Sequence, residues 1–223
     1  MPVSVHKFVT GPLETNTYVV SAAASCLIID PSQGCGEVLG LIRREKLSIA
    51  AILLTHCHFD HILGIAEIQA EAAGEGPAAA PVWAHPAEKP LLTNAEYNGA
   101  FLIGGTFVYE GPVSELSEGP FTIGDFSFDV LHVPGHSPGG CAFVFGDRKK
   151  PPLHCISGDA LFAGSIGRYD FPFSDGPLLI KTIIEKILTL PDDTIVYPGH
   201  GSRTTVGREK RMNPFLTDAF GRR

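Results

Sequence analysis

The 223-residue sequence has no paired cysteines to staple it. Cys26, Cys35, Cys57, Cys141 and Cys155 are odd in number, widely spaced and without a CxxC pair. That pattern excludes a disulfide framework and reads as reduced, mostly packed thiols. Long apolar runs are missing too: none approaches the ~18 residues that a membrane helix needs, so no membrane association is expected. The opening residues, MPVSVHKFVTGPLETN, lack the basic segment and apolar stretch of a secretion signal, which makes the cytoplasm the expected location. Positive charge is scarce: 17 Lys and Arg stand against 24 Asp and Glu, a net charge of −7. Affinity for a phosphate backbone depends on Lys and Arg, so nucleic acid is excluded as a partner. The acid excess does not by itself identify a substrate.

What is present is globular. Hydrophobic residues make up 44% and charged residues 18%, and the length buries one sizeable core, so 1–223 reads as a single domain. Residues 3–9, 16–20 and 26–29 predict a strand meander ended by Asp30-Pro31. Residues 36–47 place Val38, Leu41 and Ile42 at helical spacing. An apolar run at 49–54 (IAAILL) predicts a buried strand, and 61–73 (HILGIAEIQAEAA) carries helix spacing. A Gly/Ala/Pro loop over 72–81 leads to a short strand at 81–84. Residues 86–120 show a short helix at 86–92 and no sustained period, and such a long connection predicts a lid or a wall of the substrate pocket. Strands resume at 121–123, 126–133, 141–145 and 153–156. The clearest helix is 177–190, with Asp175 as N-cap and Pro191 as stop, and a last strand covers 194–197.

Between the 49–54 strand and the helix that follows stands His56-Cys57-His58-Phe59-Asp60-His61. An extended backbone would turn His56 and His58 to one face and Cys57 to the other. Asp60 and His61 would then lie on the first helical turn, facing the same space. Imidazole and carboxylate donors suit zinc, iron or manganese better than calcium. An open catalytic zinc keeps three protein ligands, so four crowded candidates point to two neighbouring ions completed from elsewhere. Three positions just past later strands are candidates: His136 in the turn Val133-Pro134-Gly135-His136, Asp159 in Ser157-Gly158-Asp159, and His200 in Tyr197-Pro198-Gly199-His200. Asp159 could bridge two cations with its two oxygens. His6, His85, His132 and His154 have no spacing argument and read as structural or surface residues.

Through His56-x-His58-x-Asp60-His61, His136, Asp159 and His200 in that order, the chain resembles a metallo-β-lactamase-superfamily hydrolase over nearly its whole length. Ser157-Gly158-Asp159-Ala160-Leu161-Phe162, Gly164-Ser165-Ile166-Gly167-Arg168-Tyr169-Asp170-Phe171 and Gly207-Arg208-Glu209 to Asn213-Pro214-Phe215-Leu216 resemble glyoxalase II-like proteins, the hydroxyacylglutathione hydrolases. The resemblance implies an α/β (α+β) fold, a four-layer αββα sandwich with the metals at one edge of two facing sheets. It implies two divalent ions, zinc foremost, with iron or manganese as alternatives. His56, His58 and His136 would hold one ion, Asp60, His61 and His200 the other, with Asp159 between them. Two cations ~3.5–4 Å apart lower the pKa of a shared water towards ~7 and stabilise the oxyanion formed when it attacks a carbonyl. Asp60 and Asp159 are the catalytic candidates, Asp60 as a group that orients the nucleophile or receives its proton. The implied substrate is a small glutathione thioester or related thiol conjugate.

Two features depart from that pattern. Full-length glyoxalase II proteins carry a helical C-terminal domain with basic residues for glutathione, and this sequence ends soon after Leu216. Arg168 aligns with a basic glutathione-contacting position, but the tyrosine expected two residues later is Asp170. Arg208, Lys210 and Arg211 form a basic group near the end that reads as solvated. Persulfide dioxygenases resemble the chain as well, using positions such as His56, His136 and Asp159 on a single iron. The Gly-Ser-Ile-Gly-Arg segment favours the hydrolase. A degenerate binding module on the same fold would have lost ligands, and all seven are present.

Overall fold

The computed structural model describes residues 3–75 and 80–217. In chain order the first half builds β1 (Ser4–Thr10), β2 (Thr15–Ala22), β3 (Ser25–Ile29), α1 (Gly36–Glu45), β4 (Ser48–Leu53), α2 (Ile65–Glu75), β5 (Val82–Ala84), α3 (Lys89–Thr93) and β6 (Val113–Glu115). These strands make one sheet in sequential order. The first three pair antiparallel, and β4, β5 and β6 each add parallel to the strand before. Parallel neighbours need a crossover, which α1, α2 and the segment containing α3 supply in turn.

The second half builds β7 (Gly119–Ile123), β8 (Phe126–His132), β9 (Cys141–Asp147), β10 (Lys150–Gly158), a small hairpin of β11 (Leu161–Phe162) and β12 (Ser165–Ile166), α4 (Gly176–Glu185), β13 (Ile195–Pro198), β14 (Thr204–Thr205) and α5 (Val206–Met212). Its sheet has the order β14-β13-β10-β9-β8-β7, with β13 parallel to β10. Three apolar layers result. Val38, Leu41, Ile42, Ile65 and Ile68 of α1 and α2 cover Val19, Ile28 and Ile52 on the outside of the first sheet. Tyr18, Val20, Leu27, Ile29 and Leu53 meet Phe126, Phe128, Val130, Phe143 and Phe145 between the sheets. Leu179, Ile183 and Ile187 cover Ala142, Val144, Cys155 and Val196 outside the second. Period-2 strands buried on both faces and helices buried on one face give the αββα sandwich. All five cysteines are free and buried. No helix among the described residues is long and apolar enough to cross a membrane.

Several boundaries differ from the sequence reading. The helix expected from residue 61 starts at Ile65, and Phe59–His61 form a separate 3-10 turn. Gly64 explains the delay: its N–H donates to the Pro31 carbonyl at 2.9 Å, and a side chain there would fall 2.1 Å from the Ser32 oxygen. The helix expected over 177–190 divides at Lys186 into α4 and a 3-10 turn, Ile187–Thr189, which keeps Ile187, Leu188 and Leu190 buried. The short helix expected at 86–92 is present as a 3-10 turn, Pro86–Glu88, running into α3, and residues 86–120 add β6 and a 3-10 turn at Ala100–Ile103 that the missing period does not predict. Part of the loop expected over 72–81 lies outside the described residues.

The Asp175 carboxylate accepts the Leu178 N–H at 2.9 Å and caps α4, whereas Phe143 is fully buried between the sheets. Phe143→Ala should therefore cost ~3–5 kcal/mol and Asp175→Ala ~1 kcal/mol. Urea unfolding of the two variants checks this; equal losses would contradict the layer assignment.

Candidate metal centre

Strand direction brings the seven candidates together. Within the second sheet, β8 and β10 both pair antiparallel with β9, and β13 is parallel to β10. The C-terminal ends of β8, β10 and β13 therefore share one edge, and they carry His136, Asp159 and His200. The C-terminal end of β4 delivers His56 and His58, and the 3-10 turn adds Asp60 and His61. The two edges are joined where Thr15 pairs with His200 and where the Cys141 N–H donates to the Thr55 carbonyl at 2.7 Å. Cys57 turns away, buried in the helix-covered layer, as the alternation predicts.

His56, His58 and His136 form one group of donors, Asp60, His61 and His200 another, and Asp30, His56 and His61 a third that overlaps both. His136 Nε2 lies 2.9 Å from His58 Nδ1 and 3.3 Å from His56 Nε2. In the second group, Asp60 Oδ2 is 3.2 Å from His200 Nε2 and 3.4 Å from His61 Nε2. Asp159 stands between, with Oδ1 3.5 Å from His61 Nε2 and Oδ2 3.7 Å from His136 Nε2. Nitrogen ligands at zinc distances on a tetrahedron are separated by ~3.3–3.4 Å, so the donor set fits divalent cations. Two orphans support the fit: the buried His61 Nε2 and Asp159 Oδ1 have no hydrogen-bond partner among the described residues.

Outer partners fix these groups, as metal ligands require. The Asp30 carboxylate accepts the Thr55 N–H at 2.8 Å and the Thr55 hydroxyl at 2.6 Å, and lies 3.0 Å from His61 Nδ1. Asp30 adopts a left-handed backbone, φ 51°, which aspartate tolerates better than most residues. Thr15 donates its hydroxyl to Asp60 Oδ2 at 2.8 Å. His136 Nδ1 lies 2.7 Å from the Arg168 carbonyl and His200 Nδ1 3.1 Å from the Leu13 carbonyl. Each carbonyl selects the tautomer that leaves Nε2 free for a cation. The sequence marks Asp30 only as a strand end and does not single out Thr15. The available signal was that Asp30 ends β3, parallel to β4, at the same edge as His56.

Close approach makes some glycines obligatory. A side chain at Gly199 would begin 2.0 Å from Asp159 Oδ1 and 2.8 Å from His61, and one at Gly167 would begin 1.8 Å from the Asp159 carbonyl. Burial, and then the neighbouring imidazoles, hold His56 and His58 well below the ordinary histidine range; burial lowers His136 too. These three stay neutral, with lone pairs available. Burial opposes the charge of Asp60 and His61, but their mutual attraction prevails, with Asp159 and Asp30 also acting on His61. Asp60 is held well below the usual carboxylate range and His61 is pushed up to about 10. Without a metal, a proton on His61 thus takes the cation's place.

Arg168, the substrate candidate, lies at the rim. Its guanidinium makes a bidentate pair with Asp170 at 2.7 and 2.9 Å and sits 3.9 Å from the centre of the Phe171 ring, which touches His58 at 5.0 Å between centroids. Asp170 thus pairs with Arg168 from the position where tyrosine was expected. The basic group near the end is engaged as well: Arg208 pairs with Glu209, and Lys210 and Arg211 pair with Asp192. His85 and His132 stack on each other, 4.1 Å apart, outside the donor set.

Two outcomes follow from this geometry. His61 is protonated below about 10, so loading metal-free protein with zinc at pH 7 should release about one proton from it, and affinity should rise with pH. An indicator-dye titration checks this; no proton release would contradict the His61 assignment. Asp30→Asn should weaken metal binding by ~10–100-fold, measured by chelator competition, while unchanged affinity would deny Asp30 its orienting role.

The comparisons agree with this geometry. The family model described as the Metallo-beta-lactamase superfamily matches residues 10–200. Among curated relatives, the "Probable metallo-hydrolase YqgX" of Bacillus subtilis is 38% identical over 208 residues, covering 92% of this chain and 94% of its own. The "Hydroxyacylglutathione hydrolase GloC" of Haemophilus influenzae is 36% identical, covering 85% of this chain and 86% of its own. The crystal structure of TTHA1623 in a di-iron-bound form matches with a TM-score of 0.80 and 38% identity, over 95% of this chain and 100% of that one. With its seven candidate donors gathered at the shared edge of two sheets, the chain belongs to the metallo-β-lactamase superfamily.

Proposed function

We propose that the chain is a metal-dependent thioester hydrolase of glyoxalase II type, cleaving S-(2-hydroxyacyl)glutathione such as S-lactoylglutathione, or a related thiol conjugate, in the cytoplasm. The observation that carries the proposal is the pair of donor groups, His56/His58/His136 and Asp60/His61/His200, with Asp159 within 3.7 Å of both. A relative named as a hydroxyacylglutathione hydrolase supports the substrate class. Two divalent ions held there supply an acidified water as nucleophile and positive charge for the oxyanion.

The chain's own groups do the rest. The neutral His56, His58 and His136 donate lone pairs without bringing charge, and Asp60 and Asp159 bring the negative charge that favours a second cation. With its proton affinity so depressed, Asp60 orients a water by accepting a hydrogen bond rather than by keeping its proton. Thr15 and Asp30 keep Asp60 and His61 from turning away. Arg168, fixed through its carbonyl to His136 and paired through its guanidinium with Asp170, keeps its remaining N–H donors beside the metal edge for a carboxylate of the thiol half.

Metal analysis of purified protein should give close to two ions per chain. Changing His58 or Asp60 to Ala should reduce S-lactoylglutathione cleavage by more than the ~10–100-fold typical of losing an outer partner, with the fold retained by circular dichroism. Arg168→Ala should raise KM with kcat little changed, as expected when binding uniform to ground and transition states is lost. One tightly bound iron with oxygen uptake on glutathione persulfide would overturn the hydrolase in favour of a persulfide dioxygenase.

A further inference from the structure

Glu88 is a fully buried carboxylate outside the donor set. It stands at the N-terminal end of α3, in the segment expected to form a lid, and its two oxygens reach two different ligand-bearing loops. Oε2 accepts the Cys57 N–H at 2.7 Å, between His56 and His58, and Oε1 accepts the Gly139 N–H at 2.6 Å, three residues after His136. Among the described residues no cation pairs with it. Gly139 must be glycine for this approach, because a side chain there would begin 2.9 Å from Glu88 Cγ and 3.0 Å from the Glu88 nitrogen. Burial raises the proton affinity of the carboxyl, and the Ser137 side chain and the two N–H donors oppose that rise.

An unpaired buried carboxylate is costly, and an apolar residue would fill the space without that cost. What an apolar residue cannot do is accept two main-chain N–H groups at once and so set the spacing of the loops that carry them. Asp30 holds the same His56 loop through Thr55. We propose that Glu88 is a positioning residue that locks the His56–His58 loop against the His136 loop, so that the three imidazoles converge before a cation arrives. The inference rests on the metal-centre reading and not on the substrate.

The test is zinc binding by the full chain, followed by chelator competition, with the step belonging to His56/His58/His136 identified by its loss in His58→Ala. Glu88→Gln keeps the size but turns an amide NH2 towards one of the two N–H groups. It should weaken that step by ~10–100-fold and leave the other step unchanged. Unchanged affinity at both steps, or equal weakening of both in parallel with a lower melting temperature of the metal-free protein, would overturn the proposal. Should Glu88→Gln fail to fold, amide hydrogen exchange on the metal-free wild-type chain decides. Slow exchange at Cys57 and Gly139 is expected, and exchange at the rate of exposed loop amides would overturn it. S-lactoylglutathione turnover enters neither measurement, so failure here is distinct from failure of the hydrolase reading.

Discussion

The structure depends on one constraint: groups that repel or exclude one another are held within about a hydrogen-bond length in a site shielded from water. Three neutral imidazoles point nitrogens at each other, and two aspartates and two more histidines close the other side. Left to themselves such groups would separate or take up protons, and the raised proton affinity of His61 is the sign of that demand. A cation relieves it, and the surrounding bonds prevent the alternative of drifting apart.

The αββα arrangement meets this constraint with little machinery. Four strands, β4, β8, β10 and β13, end at the same edge, and each hands over to a short turn carrying ligands. Proline and glycine in the turns before His136 and His200 keep the backbone close. At Gly199 and Gly167 the approach is so tight that a methyl group would displace Asp159. Backbone bonds between the halves, such as Asn16 N–H to the Gly199 carbonyl at 2.7 Å, pin one sheet to the other where the ligands meet.

Much of this was readable from residues near one another in sequence. The His56 to His61 cluster and the Asp175 cap follow from spacing alone, because period and capping are local properties. Orthodox strand-end turns marked His136, Asp159 and His200. Less legible were Asp30, Thr15 and Glu88, which act through bonds to residues 25, 45, 31 and 51 positions away. Nothing in their own neighbourhoods distinguishes a strand-end aspartate or a helix-start glutamate from many others. In the segment 86–120 only the short helix is legible, because β6 is held by non-local pairing with β5 and leaves no local period.

The sequence by itself determined the kind of donors, their local spacing, the apolar faces of the strands and helices, and the family to which these motifs point. Those depend on side-chain chemistry and on periods of two and 3.6 residues, which no folding partner alters. Only the tertiary structure decided that Asp30 and Glu88 lie against the candidate donors and the loops that carry them, where the first helix after the cluster begins, and that Arg168 meets Asp170. These outcomes turn on distances of about 3 Å between distant segments, and such distances exist only after the two sheets have packed face to face.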